Sequence, residues 1–407
     1  MALLRRGRHR RSGDWGRLLD VYGALALVVL LVLAAVSSVV SHFEPSTGSV
    51  NDGAPPLEKV LHGTPIDTRR LQELSPYSSD TISPESVLAL GDGLVVADNS
   101  IVHHTLSIFD SRTGALRRTV TTALRFTDLG FSKPTGVVEG APVQGAVTPD
   151  GQYYWFTNYS MFGPHMGPAG VDTCTPRSAI ASGDTPEYVE RLNLGTLSID
   201  RAIQVGLVPK YDVISPNGKW LLVTNWCSWT LNIIKVSENR VAATLPLEAL
   251  PLGIAIGPHS RYAYVALAGK EDLVKVDILT AKVVGYIFVG RNPSTVVLSP
   301  SGRYAFVTLD QPGDVVKVDL KTNRVVAVKH TGVGCRDVAI SRDGTAIFVI
   351  NSGSDTMTML RASDLAIEAS VPVPPDSVGV SFDATTDDVW VSSYAGHISR
   401  FALVDAA

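Results

Sequence analysis

Pro209-Lys210-Tyr211-Asp212-Val213-Ile214-Ser215 runs into the turn Pro216-Asn217-Gly218 and out again as Lys219-Trp220-Leu221-Leu222-Val223-Thr224-Asn225. A loop with Trp226, Cys227 and Trp229 follows, then Thr230-Leu231-Asn232-Ile233-Ile234-Lys235-Val236 and Val241-Ala242-Ala243-Thr244-Leu245. These are four short apolar or alternating runs, each closed by turn residues, the pattern of an antiparallel meander. The same text restarts at Pro251, and the turn position recurs at 216, 258, 300 and 342, in steps of 42 residues. Four strands per unit at that spacing is the signature of a propeller blade.

A second marker supports the count. A proline stands seven residues before the turn position at Pro142, Pro209, Pro251, Pro293 and Pro375, with Pro84 a looser match and Cys335 in place of proline. That makes seven units. One meander buries one face of its sheet, so it needs neighbours, and a ring supplies them. The expected fold is all-β, a seven-bladed β-propeller of four-stranded antiparallel blades over 81-407, preceded by one N-terminal transmembrane helix. Between Pro149 and Pro216 the chain carries 25 residues more than one period, which places an insertion at about 160-184. Long insertions in a regular array are where partner binding is commonly carried.

Several segments resemble a known family. Leu222-Val223-Thr224-Asn225, Tyr264-Val265-Ala266, Phe306-Val307-Thr308 and Phe348-Val349-Ile350-Asn351 are similar to the Tyr-Val-Thr-Asn motif of the YVTN-type β-propeller repeat family. They follow Ser215–Gly218, Ser299-Pro300-Ser301-Gly302 and Ser341-Arg342-Asp343-Gly344, which match the family's Ser-Pro-Asp-Gly turn. The resemblance covers about 84–407 and implies the propeller. It does not choose an activity, because members include lactonase-like enzymes, subunits of redox complexes and surface proteins. Neither the N-terminal apolar run nor 160-184 belongs to the family pattern.

The charge is unevenly spread. The net charge is -4 over 407 residues. Residues 1-20 hold six arginines against Asp14 and Asp20, so the remainder carries −8. A mildly acidic body argues against nucleic acid as the partner. Val21 to Val40 is an uninterrupted run of apolar and small residues, and about 20 such residues span a bilayer as a helix. The basic segment 1-20 then stays in the cytoplasm and everything beyond the 21-42 signal-anchor lies outside, in a bacterial cell envelope. A cleaved signal peptide with Val36-Ser37-Ser38 at the cut is the alternative, although the run is long for one. Residues 43-80, rich in Pro, Gly, Ser and Asn, read as a linker. The last unit has strands at Val378–Ser381, Val389–Ser392 and His397–Leu403 and lacks a fourth. Arg69–Leu74 is the candidate closing strand, which would leave no open seam in the ring.

In a propeller, the loops entering the innermost strands and the loops between second and third strands share one face. That face is expected to collect Lys210, Tyr211, Arg336, Asp337 and Asp376 from the first set, and His104, Trp226, Trp229 and His397 from the second. Charged groups of both signs at a channel mouth suit a polar small-molecule ligand. The competing reading is solvated loop residues, with Arg336 and Asp337 paired locally. Tyr159, Trp226 and Trp229 are either an exposed aromatic surface for a protein or sugar, or a local core beneath the insertion. Cys174 and Cys227 fall in equivalent loops of adjacent units and are the candidate disulfide, leaving Cys335 as a free thiol. A Cu(I) site from Cys174, Met161, His165 and Met166 has no regular ligand spacing, so no metal and no cofactor is expected.

Gly-x-Ser-x-Gly, His-Glu-x-x-His, Gly-Lys-Ser/Thr and CxxC motifs are all missing from the sequence. Asp110, Asp277 and Asp319 end third strands by period and read as turn formers. The functional expectation is a membrane-anchored binding or scaffold module for a protein or cell-envelope component. The alternative is a lactonase- or lyase-like enzyme, or a subunit of a redox complex, with its site at the channel mouth.

Overall fold

The computed structural model describes residues 64–164, 166 and 187–405. The expected anchor 21-42, the basic segment 1-20, most of the insertion and Cys174 lie outside the described residues. Among the described residues no helix is long and apolar enough to cross a membrane.

Seven antiparallel sheets follow one another along the chain. Their first strands are Pro84–Ala89, Val137–Val147, Pro209–Ile214, Pro251–Ile256, Pro293–Leu298, Cys335–Ile340 and Ser377–Asp383, which open blades 1 to 7. Each first strand packs beside the next and the last packs beside the first, so the ring is closed. The first strands are innermost and almost wholly buried, while the fourth strands of blades 3, 4 and 5 alternate between exposed and half-buried residues. The two-residue period sends one set of side chains to the preceding blade and the other to the following blade. Leu88 and Val96 of blade 1 thus meet Tyr154 and Phe156 of blade 2. Ala146 and Trp155 of blade 2 meet Ile214, Leu221 and Val223 of blade 3.

The register corrects one marker. Pro209 pairs with Asn225, Pro251 with Leu267, Pro293 with Leu309 and Cys335 with Asn351. In blade 7 the equivalent pair is Ser377 with Ser393. The period of 42 therefore continues to Ser377, and Pro375 lies in the loop before it. Its carbonyl accepts a hydrogen bond from the Ser393 hydroxyl at 2.6 Å.

The asparagine that ends the second strand in blades 1, 3 and 6 is a clamp. Asn225 accepts from the Gly206 N–H at 3.0 Å and donates to Thr230 Oγ1 at 3.0 Å and Asn232 Oδ1 at 2.7 Å. Asn99 and Asn351 make the matching sets with Thr105 and Ser107, and with Thr356 and Thr358. One buried amide ties the loop entering the blade to the loop leaving its second strand. Leu267 and Leu309 replace it in blades 4 and 5. Asn225→Ala strands several buried partners at once, so it should cost about 2–4 kcal/mol, read as a lower urea midpoint at unchanged slope.

The acidic turn formers act as expected. Asp277 Oδ1 accepts from the Leu279 and Thr280 N–H groups, and Asp319 Oδ1 from those of Lys321 and Thr322. In blade 7 the outer strand comes from the start of the described chain. Arg70–Glu73 pairs antiparallel with Phe401–Val404, and Tyr77–Ser78 pairs with His397–Ile398.

Candidate functional site

Alternation of strands gives the ring two unlike faces. The upper face carries the loops that enter the inner strands and those between second and third strands. The lower face carries the Ser215–Gly218-type turns and the turns between third and fourth strands. Blade 2 breaks the pattern on the upper side. Its first two strands, Val137–Val147 and Tyr153–Phe162, run to 11 and 10 residues where the inner strands of most blades have six. The overrun is capped by Leu124–Arg125, which pairs with Val137–Val138. It carries a core of its own, in which Phe126, Val138, Met161, Tyr188 and Ala202 are buried against Leu129, Phe131 and Met166. Tyr159 and Ser160 therefore belong to a strand, which ends at Phe162.

The expected channel-mouth residues are scattered or buried. Lys210, Tyr211, Arg336 and Asp337 sit within inner strands with at most 6% exposure, so they are not solvated loop groups. Inner strands are flanked by a blade on each side, and side chains here enter the seams. The Tyr211 hydroxyl reaches Thr295 Oγ1, two blades on, at 3.1 Å. Asp337 Oδ2 accepts the Val380 N–H of blade 7 at 2.8 Å. Lys210 Nζ lies 4.2 Å from the centre of the Tyr159 ring, and of the expected residues these two are brought together. Asp376 is exposed in the left-handed region before its strand. His104 stacks on Phe162 with Nδ1 3.5 Å from Glu139, and burial holds its pKa down against the pull of that carboxylate. His397 Nδ1 is 2.6 Å from Ser78 Oγ, a clasp between the closing segment and blade 7. The exposed aromatic surface is corrected too. Trp226 is buried, and Trp229 is half-buried at φ 53°, because the loop folds back over the blade. Cys227 is in a disulfide and Cys335 is a buried free thiol. Cys174, its expected partner, lies outside the described residues.

Comparing equivalent positions around the ring exposes a cluster that the loops did not. Thr157, Thr224 and Thr308 staple their blades to the next by donating to the Lys210, Leu252 and Arg336 carbonyls. Blade 1 has Asp98 at that place, where it accepts from Ser86 Oγ at 2.6 Å and Tyr154 OH at 2.7 Å. The Tyr154 ring occupies the space a Cβ on Gly145 would fill, 2.2 Å from its Cζ, so a side chain at Gly145 would displace it. Asp212 stands where blades 4 to 7 have Ile254, Val296, Val338 and Val380. Blades 1, 2 and 3 thus each depart from the repeat in or beside the inner strand, Asp98 in a column that holds threonine in blades 2, 3 and 5, and Gly145 and Asp212 in a column that is Ile or Val elsewhere.

Burial governs their protonation. It raises Asp98 to about 6, against the hydrogen bonds from Ser86 and Tyr154 that pull it down. It raises Asp212 well above the carboxylate range, and the charge of Asp98 adds to this. Glu190, on the third strand of blade 2, is pushed up to about 8. The Asn158 amide lies beside it and lowers it somewhat, yet neither Glu190 oxygen has a partner in hydrogen-bonding geometry among the described residues. The fully buried Gln144 carboxamide is likewise without a partner among the described residues. All four side chains are sealed from solvent in this conformation, and burial favours the protonated forms of Asp212 and Glu190.

No protein-family model matches the chain. Over 161 residues, 39% of this chain, it is 25% identical to "Seven-bladed beta-propeller protein Rv1057" of Mycobacterium tuberculosis (strain ATCC 25618 / H37Rv). With the blade count above, that settles the architecture. The chain is a seven-bladed β-propeller. The match spans 35% of that relative, so the propeller and this protein are alike over about a third of the relative's length. Kuenenia stuttgartiensis hydrazine synthase superposes on the propeller with a TM-score of 0.62 at 16% identity, over 86% of this chain and 100% of that one. At that identity the likeness is one of fold alone.

Proposed function

We propose that this propeller is an extracytoplasmic binding module, tethered to the cytoplasmic membrane by 21-42, and that it engages a protein or cell-envelope component through the upper side of blade 2. The observation that carries the reading is the overrun of Val137–Val147 and Tyr153–Phe162 beyond the ring, with its satellite core. Building a second small core outside the ring serves no purpose in closing it. It makes a rigid pedestal for the residues that follow Phe162, and rigid pedestals are where binding loops are mounted. The disulfide at Cys227 lies in the neighbouring loop of blade 3 and stiffens the same quarter of the face. The resemblance to YVTN-type repeats is compatible with this, since that family includes surface proteins. The strongly shifted carboxyls are enclosed in blade seams, which favours binding over chemistry at the channel.

The test replaces residues 167–186 by a short Gly-Ser link in the full chain. The deletion also removes Cys174, so Cys227→Ser is made in both proteins, and against that control circular dichroism and melting should change little, because the strands of all seven blades lie outside 167–186. Proximity labelling on the outer membrane face should lose the partners that the intact chain recovers. An unchanged set of labelled partners would reject the role of this face.

A further inference from the structure

The outward-facing positions of the fourth strands repeat by 42 residues, and two blades break the repeat. Blade 3 presents Arg240, Ala242, Thr244 and Pro246 to solvent. Blade 4 presents Lys282, Val284, Tyr286 and Phe288, and blade 5 presents Arg324, Val326, Val328 and His330. Val284, Phe288, Val326 and Val328 are each at least half exposed, and Leu279 at the preceding turn of blade 4 is 64% exposed. The outer strands of blades 4 and 5 are neighbours, so these side chains form one patch. Contiguous apolar surface of this kind on a soluble body marks something that covers it.

The rim below the patch is cationic. Lys282, Lys321 and Arg324 are exposed and have no ion-pair partner among the described residues. The nearby carboxylates are already neutralised, Asp277 by Arg261 at 3.1 Å and Asp319 by Arg303 at 2.7 Å. The position of the chain's start adds a third observation. The Ile66 N–H donates to Asp343 at 3.0 Å and the Asp67 N–H to Thr345 at 3.3 Å, both on the lower-face turn of blade 6. The described chain thus begins on the lower face, one blade from the patch. Residues 43–63 separate that point from the end of the expected anchor, and no chain of that length reaches further than about 70 Å.

We propose that the lower rim of blades 4 and 5 rests on the bilayer that holds residues 21-42. Leu279, Val284 and Val326 enter the interface, and Lys282, Lys321 and Arg324 meet anionic headgroups. The inference rests on the anchored reading. It fixes which side of the propeller faces lipid and turns the upper side of blade 2 toward the periphery. Apolar side chains beside lysine and arginine match the chemistry of an anionic membrane surface, where each helps the other.

The test uses the full chain in vesicles of phosphatidylcholine with phosphatidylglycerol. Nitroxide labels go on Val284→Cys and, as the control, on Thr244→Cys in blade 3. Cys335 is buried and Cys227 is bonded, so the introduced thiols react selectively. Collision with a water-soluble nickel complex should fall several-fold at 284 relative to 244, and triple substitution of Lys282, Lys321 and Arg324 to glutamine should restore it. Equal aqueous access at both sites, in protein that survives a carbonate wash, would overturn the orientation and leave the anchor standing. Protein that washes off the vesicles would overturn both. Protection at 284 that persists in detergent together with a doubled mass would assign the patch to a second copy and overturn the proposal.

Discussion

Glu190→Gln will make the protein more stable at alkaline pH and leave it nearly unchanged near pH 4. The side chain is fully buried on the third strand of blade 2, with neither oxygen in hydrogen-bonding geometry to a partner among the described residues. Burial raises its pKa from an ordinary 4.5 to about 8. The folded chain therefore keeps a proton that the unfolded chain gives up. Below the unfolded value both states are protonated and nothing is lost. As pH rises from about 4.5 to about 8 the unfolded state is favoured progressively, and above that the penalty is constant. A shift of that size is worth about 5 kcal/mol at about 1.4 kcal/mol per unit. Glutamine has the same shape and no charge to lose. Urea midpoints of wild type and variant should converge in acid and separate steadily toward pH 8. Parallel curves across that range would show that Glu190 titrates normally. Asp98, raised to about 6, adds a smaller slope in the same direction over a lower window. Asp212, raised by burial and by the charge of Asp98, acts in the same direction.

The ring was legible because its cause is periodic. Wedge-shaped sheets demand the same buried residue at the same step, and a step of 42 is visible in text. Pro209, Pro251 and Pro293 mark the start of inner strands, and Asp277 and Asp319 close their turns as read. Pro375 misled because a proline two residues outside the strand looks the same as one that opens it. The site residues were harder. Lys210, Tyr211, Arg336 and Asp337 are polar and follow a turn, which normally means solvent, yet an inner strand has a blade on either side. Sequence alone does not say how deep the loop ends and the strand begins. Asp98, Gly145 and Asp212 were readable in principle. Aligning the seven units by column shows an acid among threonines, a glycine and an acid among Ile and Val, and an isolated Tyr154. The repeat fails within strands, whereas the polar residues that stand out by eye lie next to turns. The outward row Val284, Tyr286, Phe288 shows in the same columns, but alternation along an outer strand looks like ordinary amphipathic patterning until the exposed face is known.

Deleting residues 64–79 from the full chain should lower the melting temperature by roughly 10 °C or more, the largest effect expected outside the blade cores. The segment supplies the outer strand of blade 7, where Arg70–Glu73 and Tyr77–Ser78 pair along His397–Val404. Its side chains are also part of two cores. Ile66 is 1% exposed and packs with Phe348, Phe382 and Phe401, with Leu71 against the same cluster. Tyr77 meets Phe109 of blade 1 edge-on at 5.2 Å. Arg69 and Arg342 converge on Asp387, at 3.0 and 2.8 Å, which joins the segment to the lower side of blades 6 and 7. Ile66→Ala by itself should cost about 2–4 kcal/mol. Loss of the whole segment also bares the edge of the last strand, an open template for pairing with other chains. The truncated protein should therefore aggregate as well as melt early. A synthetic peptide of residues 64–80, added in trans, should pair with the bared strand and recover part of the lost stability in proportion to its concentration. Unchanged melting after deletion would mean that three strands suffice to close blade 7. Early melting with no response to the peptide would mean that the bared strand no longer offers the edge along which the segment pairs, and would place the damage in the rest of blade 7.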